Sequence, residues 1–231
     1  MRLLLLSNST NHGLGFLEHA EEMLRRFFGT RVQELLFVPY AAVRFPFDAF
    51  ADRVADRFRA LGIKVRAIHR ELDPRRAVEV AEAIAVGGGN TFQLLTQLQE
   101  LSLIEPIRDR VLGGVPYVGW SAGTNVACPT IKTTNDMPIV EPSSFAALDL
   151  VPFQINPHFT DARLPNHGGE TRSERLLEFV TANPTVPVLA LPEGTALLVE
   201  DGKTTLLGAA AATRFSAGSD PRTIDPGPLT L

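Results

Sequence analysis

Apolar residues in the first half of the chain fall into two alternating rhythms. Leu3 to Leu6 form a short continuous apolar run, the pattern of a strand buried on both faces. Leu17, Ala20, Leu24, Phe27 and Phe28 then recur at helical spacing and predict a helix with one buried face. The cycle repeats: Leu35 to Val38 predicts a strand, Phe47, Phe50, Ala51, Val54, Phe58 and Leu61 a helix, and Ile63 to Ile68 a further strand. Asp73-Pro74 opens another helix, the aspartate as side-chain cap and the proline at the first helical position, where no backbone donor is needed. A fourth strand, Ala83 to Val86, runs into Gly87-Gly88-Gly89-Asn90 and a helix through Leu94, Leu95 and Leu98; a fifth, Val115 to Gly119, ends at Trp120-Ser121. Strands alternating with helices predict an α/β fold with a parallel sheet covered on both faces.

Beyond Cys128 the rhythm fades among Pro129, Pro138, Pro142, Pro152 and Pro157, and the stretch reads mostly as loops. Loops of that length are functional or disordered. A helix from Glu170 to Val180 follows, then strands near Val186 to Leu189, Ala196 to Val199 and Thr204 to Leu207, which read as antiparallel hairpins. Residues 216–231 hold three prolines and two glycines with little apolar content, so a loosely ordered tail is expected. Residues 1–231 read as a single domain.

Composition narrows the class. A chain of 231 residues that is 45% hydrophobic and 21% charged has ample material for a packed core. A net charge of −4 leaves no basic excess to neutralise phosphates, which argues against a nucleic-acid partner. The leading apolar run, Leu3 to Leu6, falls far short of a signal-peptide core or the ~20 residues of a membrane span, so a soluble, cytoplasmic protein is expected. The lone Cys128 forms no internal disulfide, and the histidines show no metal-finger or HExxH spacing; no metal and no cofactor are expected.

Two glycine-rich turns carry candidate chemistry. Gly119-Trp120-Ser121-Ala122-Gly123 follows an apolar strand and precedes a small-residue helix, matching the G-x-S-x-G nucleophile elbow, in which a tight turn lifts the serine hydroxyl out of the sheet. The Ala122 N–H would face a developing oxyanion. Gly87-Gly88-Gly89-Asn90-Thr91 exposes backbone N–H groups at another strand end, fit to cradle an anion or complete an oxyanion hole. It has neither the dinucleotide nor the P-loop spacing. Both turns fall at the strand ends where open α/β sheets bind ligands.

A serine nucleophile needs a base. His158, flanked by Pro157 and Phe159, is favoured over the glycine-flanked His167; His12, His19 and His69 read as surface or cap residues. The group that orients the base is left open among Asp136, Asp149, Asp161, Glu170 and Glu193.

These motifs, with Leu4 to Thr10 (LLLSNST), Val86 to Leu95 (VGGGNTFQLL), Cys128 to Val140 (CPTIKTTNDMPIV), Gln154 to Thr160 (QINPHFT), Gly169 to Arg172 (GETR) and Leu191 to Gly194 (LPEG), give the chain a close resemblance to the peptidase E family of serine peptidases, the alpha-aspartyl dipeptidases. The resemblance covers most of the chain and stops near Gly208. It implies a three-layer α/β/α sandwich like that of class I glutamine amidotransferases, a flavodoxin-like arrangement with a mostly parallel central sheet. It implies hydrolysis of dipeptides that begin with aspartate. It places the nucleophile on Ser121, the base on His158, the triad acid on Glu193, and the oxyanion donors on the N–H groups of Gly89 and Ala122. It places aspartate recognition on Arg172, with Asn90 and Asp136 as further substrate-binding residues. Asp136 is expected to receive the substrate's α-ammonium, because a dipeptidase must recognise a chain end. Peptide substrates are the expected partners of a monomer or homodimer.

Two other readings stand beside this one. A cyanophycinase-like hydrolase of β-aspartyl peptides shares the fold and nucleophile. A small-molecule binding module on the same fold would use the glycine turns alone, but has no need of a serine, a histidine and a glutamate together.

Overall fold

Leu3 and Leu5 point into one apolar core and Leu4 and Leu6 into another, so strand β1 (Arg2–Leu6) needs a covered layer on each side. In the computed structural model, which describes residues 1–163, 166 and 168–229, β1 is a central strand. It pairs in parallel with β5 (Tyr117–Trp120), and the parallel ladder continues through β4 (Ile84–Val86) and β2 (Glu34–Val38) to β3 (Lys64–Ala67). On its other side β8 (Ala196–Glu200), β9 (Lys203–Leu207) and β12 (Gly227–Leu229) add an antiparallel wing, giving eight strands.

Helices α1 (Glu21–Phe28) and α2 (Phe47–Arg59) cover the face that carries Leu4, Leu6, Phe37 and Trp120. Helices α3 (Pro74–Glu79), α4 (Thr91–Glu100), α5 (Ile104–Leu112) and α6 (Ala122–Asn125) cover the face that carries Leu3, Leu5, Val38 and Val86. The result is the expected three-layer sandwich. Asp73 caps α3 as its sequence predicts, its carboxylate accepting the Arg76 N–H at 2.9 Å.

Several elements differ from the sequence reading. α1 begins at Glu21; Leu17, at φ +52°, and Ala20 lie in a turn before it, though both are buried. α5 is unpredicted: Ile104, Ile107 and Val111 continue the apolar pattern of α4, and a three-residue turn, Leu101 to Leu103 with Ser102 left-handed at φ +53°, separates the two helices. A second, four-stranded sheet is also unpredicted, built from β6 (Gln154–Asn156), β7 (Val188–Ala190), β10 (Ala212–Phe215) and β11 (Arg222–Ile224) in the order β11-β10-β7-β6. Helix α7 (Arg172–Ala182) packs Leu176 and Val180 against its Val188, Ala190 and Phe215. β7 therefore joins this sheet rather than forming a hairpin with β8.

The proline-rich stretch is irregular but packed, with Ile131, Leu148, Val151 and Phe153 buried in the main core. The described part of the tail, through residue 229, is not loose: β11 pairs with β10, and β12 pairs with β9. A sheet edge leaves backbone donors and acceptors unpaired, and a short strand satisfies them even with few apolar side chains. Pro228, which lacks an N–H, is tolerated because β12 is the edge strand. No described helix is long and apolar enough to cross a membrane.

Candidate active site

Ser121 sits between β5 and α6 at φ +54° and ψ −113°, a left-handed conformation that non-glycine residues rarely adopt. Its neighbours show why the motif needs glycines. A Cβ on Gly119 would lie 2.4 Å from the Gly123 carbonyl oxygen, and one on Gly123 would lie 2.0 Å from that of Val86. The turn closes only because both side chains are absent. α6 is held by the buried Thr124 hydroxyl, which donates to the Leu6 and Gly119 carbonyls at 2.6 and 3.0 Å.

His158 follows β6 and lies across from this turn, with Nε2 3.0 Å from the Ser121 hydroxyl and Nδ1 2.7 Å from Glu193 Oε1. A carboxylate only accepts, so in the neutral ring Nδ1 carries the proton donated to Glu193 and Nε2 is left to accept from the hydroxyl. Glu193 lies on the turn after β7, and its side chain stays half exposed at 53%. Ser121, His158 and Glu193 thus form one unbroken hydrogen-bonded chain. The other acids left open by the sequence do not reach the imidazole; His167 lies outside the described residues.

The second glycine turn meets the first. A Cβ on Gly88 would lie 3.0 Å from Ser121 Cβ, so the two turns touch. Gly89, at φ +141°, brings its backbone so close to Ala41 that a Cβ would lie 2.2 Å from the Ala41 carbonyl oxygen. Among the described residues neither the Gly89 nor the Ala122 N–H donates to a protein acceptor. Backbone donors left unspent beside a hydroxyl are what an oxyanion hole requires.

Arg172 is the first residue of α7, whose start is fixed by a reciprocal capping box: the Thr171 hydroxyl accepts from the Glu174 N–H at 3.2 Å, and the Glu174 carboxylate accepts from the Thr171 N–H at 2.6 Å. The guanidinium lines a cavity of about 650 Å³. Its Nη1 is buried without a hydrogen-bond partner, and burial, followed by the neighbouring Arg175 cation, lowers its pKa. A partly buried guanidinium whose Nη1 lacks a protein partner suits an anionic ligand. Asp136 lines the same cavity, as do Asn156 and Thr160, which lie two residues either side of His158; Ser121, His158 and Glu193 themselves do not.

Asp136 and Asn90 have structural duties as well. Asp136 Oδ2 accepts from the Thr91 N–H at 2.7 Å, the Thr91 hydroxyl at 2.6 Å and the Thr134 hydroxyl at 3.1 Å, tying its loop to the start of α4. The Asn90 side chain caps α4 through Gln93 N–H at 3.0 Å and donates to the Met137 carbonyl at 2.8 Å. Both ends of that amide are engaged within the protein.

Residues that the sequence did not single out support the histidine. Asn135 donates to the Pro157 carbonyl at 2.7 Å and accepts from the buried Asn156 amide at 2.6 Å. Ser7, also fully buried, accepts the His158 N–H at 2.9 Å. The available signal was position: Ser7 directly follows a central strand at the sheet's ligand-binding edge.

The model of peptidase family S51 matches residues 3–207. A protein named Peptidase E from Nostoc sp. is 49% identical over 219 residues, covering 95% of this chain and 90% of that protein. One of the same name from Salmonella typhimurium is 48% identical over 227 residues, covering 98% and 99%. A crystal structure of a peptidase from an acI-B1 Actinobacterium superposes with a TM-score of 0.71 at 18% identity, covering 100% of this chain and 96% of the other, a likeness of fold. The sandwich is accordingly of the class I glutamine amidotransferase type. The chain belongs to peptidase family S51 and is a serine peptidase.

Proposed function

We propose that this peptidase hydrolyses dipeptides bearing an N-terminal L-aspartate, with Ser121 as nucleophile, His158 as general base and acid, and Glu193 as the carboxylate that orients the imidazole. The observation that carries the reading is the hydrogen-bonded chain from the Ser121 hydroxyl through His158 to Glu193. His158 Nε2 takes the hydroxyl proton as Oγ bonds to the aspartyl carbonyl carbon. The Gly89 and Ala122 N–H groups hold the oxyanion. When the C–N bond breaks, His158 returns the proton to the leaving amine. Water then adds to the acyl-enzyme by the same route, releasing aspartate and restoring the hydroxyl.

Arg172 supports the choice of aspartate, since its unpartnered guanidinium can pair with the side-chain carboxylate. Asp136, with Oδ2 committed to α4, is assigned the substrate's α-ammonium through Oδ1. Asn90 acts through the backbone turn it caps.

The test compares hydrolysis of Asp-Leu with Asn-Leu, Glu-Leu and N-acetyl-Asp-Leu. Efficient cleavage of Asp-Leu alone is expected. Cleavage of the acetylated peptide at the same rate would remove the ammonium site, and failure on all four, with activity on β-aspartyl peptides, would favour the cyanophycinase-like chemistry. Asp136→Asn should narrow the preference for Asp-Leu over the slow substrate N-acetyl-Asp-Leu; an unchanged preference would mean that it acts on the fold alone.

A further inference from the structure

We infer that Leu6-Ser7-Asn8, at the C-terminal end of β1, is the frame that sets the three catalytic segments in register, with Ser7 and Asn8 as positioning residues; this rests on the triad reading above. Between them these consecutive residues hold all three segments. The Leu6 carbonyl accepts the Ser121 N–H at 3.2 Å. The Ser7 hydroxyl accepts the His158 N–H at 2.9 Å and donates to the Leu191 carbonyl, two residues before Glu193, at 2.8 Å. Asn8 Oδ1 accepts the N–H of Gly194, adjacent to Glu193, at 2.8 Å, and the Ser7 N–H donates to the Thr195 carbonyl at 2.9 Å.

A frame is needed because the triad spans two sheets. Ser121 follows β5 of the eight-stranded sheet, while His158 and Glu193 follow β6 and β7 of the four-stranded one. Among the described residues no strand pairing joins the sheets, so no backbone ladder fixes Ser121 relative to His158. The buried Asn125 side chain supplies one tie, donating to the Ile155 carbonyl at 2.9 Å. The Ser7 hydroxyl supplies the tie nearest the chemistry. His158 itself stands at φ +53°, a conformation that persists only where surrounding bonds over-determine it. Misplacement by about 1 Å can cost about 100-fold in rate. Neither Ser7 nor Asn8 lines the cavity that holds Arg172, so their loss should leave substrate affinity intact.

The experiment uses full-length Ser7→Ala, Asn8→Ala and Ser7→Thr, with folding checked by circular dichroism. Two rates are read: labelling of Ser121 by a fluorophosphonate, located by mass spectrometry, and kcat and KM on Asp-Leu. Both alanine variants should lose about 10- to 100-fold in labelling rate and in kcat with KM within about twofold of wild type. Ser7→Thr, which keeps the hydroxyl, should recover most of the labelling rate. Folded alanine variants labelled at the wild-type rate, or losses confined to KM, would overturn the inference. If Ser7→Ala does not fold, Asn8→Ala decides by the same criterion. A wild type that is labelled but does not cleave Asp-Leu would refute the substrate assignment alone, and the labelling ratios would still judge the frame.

Discussion

Ser121 and His158 both adopt left-handed backbone conformations, at φ +54° and +53°, without being glycines. Such strain costs on the order of 1–3 kcal/mol each and is retained where geometry serves function. The sequence revealed Ser121 through its flanking glycines, and favoured His158 through its rigid neighbours. Glu193 was not separable from four other acids by pattern, because its partnership with His158 is made across strands and not along the chain. At Arg172 the prediction is specific: Arg172→Gln should cut kcat/KM on Asp-Leu by about 10- to 100-fold, matching the ~1.5–3 kcal/mol of a charge-assisted hydrogen bond, and should lower the Asp-Leu to Asn-Leu ratio by a similar factor. An unchanged ratio would remove Arg172 from specificity. Cys128 offers a contrast. Burial pushes its thiol up to about 12, so native protein should resist iodoacetamide at pH 8 until it unfolds; rapid alkylation of folded protein would contradict the packing described.

Among elements, the strands marked by an apolar run were legible and those without one were not. The five parallel strands and helices α2 and α4 follow the apolar rhythm of the sequence, and α3 follows its Asp73-Pro74 start. β6, β11 and β12 have three residues each and, unlike the equally short β4, no apolar run to mark them; they are strands only because a distant edge accepts them. Their backbone pairing is long-range information that no local window contains. In helix α7 the capping box fixes the first turn, on which the proposed substrate-binding Arg172 stands. Thr171→Ala should destabilise the protein by about 1 kcal/mol and raise KM for Asp-Leu with little change in kcat. A drop in kcat alone would mean that the helix start matters for something other than binding.

On the scale of the whole molecule, the structure joins a conventional doubly covered sheet to a small second sheet, and the hydrogen-bonded chain from Ser121 through His158 to Glu193 bridges them. This division was not legible in the sequence, which suggested a single run of strands with closing hairpins. One buried group should report on the integrity of the assembly. His19 has both ring nitrogens buried without partners; burial lowers its pKa below 6.5, with Glu193 pulling it back up and Arg57 lowering it further. The folded state therefore binds fewer protons than the unfolded state as pH falls through 6.5, and stability declines with it. Glu21, Asp48, Glu82 and Glu174, whose pKa values are lowered by hydrogen bonds, lose their contributions only further into the acid range. Melting temperatures between pH 7 and pH 5.5 should thus fall more for wild type than for His19→Leu, and parallel curves would show that His19 does not carry the effect.

The most direct test of the triad mechanism is kcat for Asp-Leu in wild type and in Ser121→Ala, with Asn-Leu measured in parallel. The wild type should cleave Asp-Leu and leave Asn-Leu essentially untouched, and Ser121→Ala, folded and still able to bind Asp-Leu, should lose at least about 1,000-fold in kcat. Turnover of Asp-Leu by Ser121→Ala at a rate near that of wild type would contradict the assignment of Ser121 as the nucleophile.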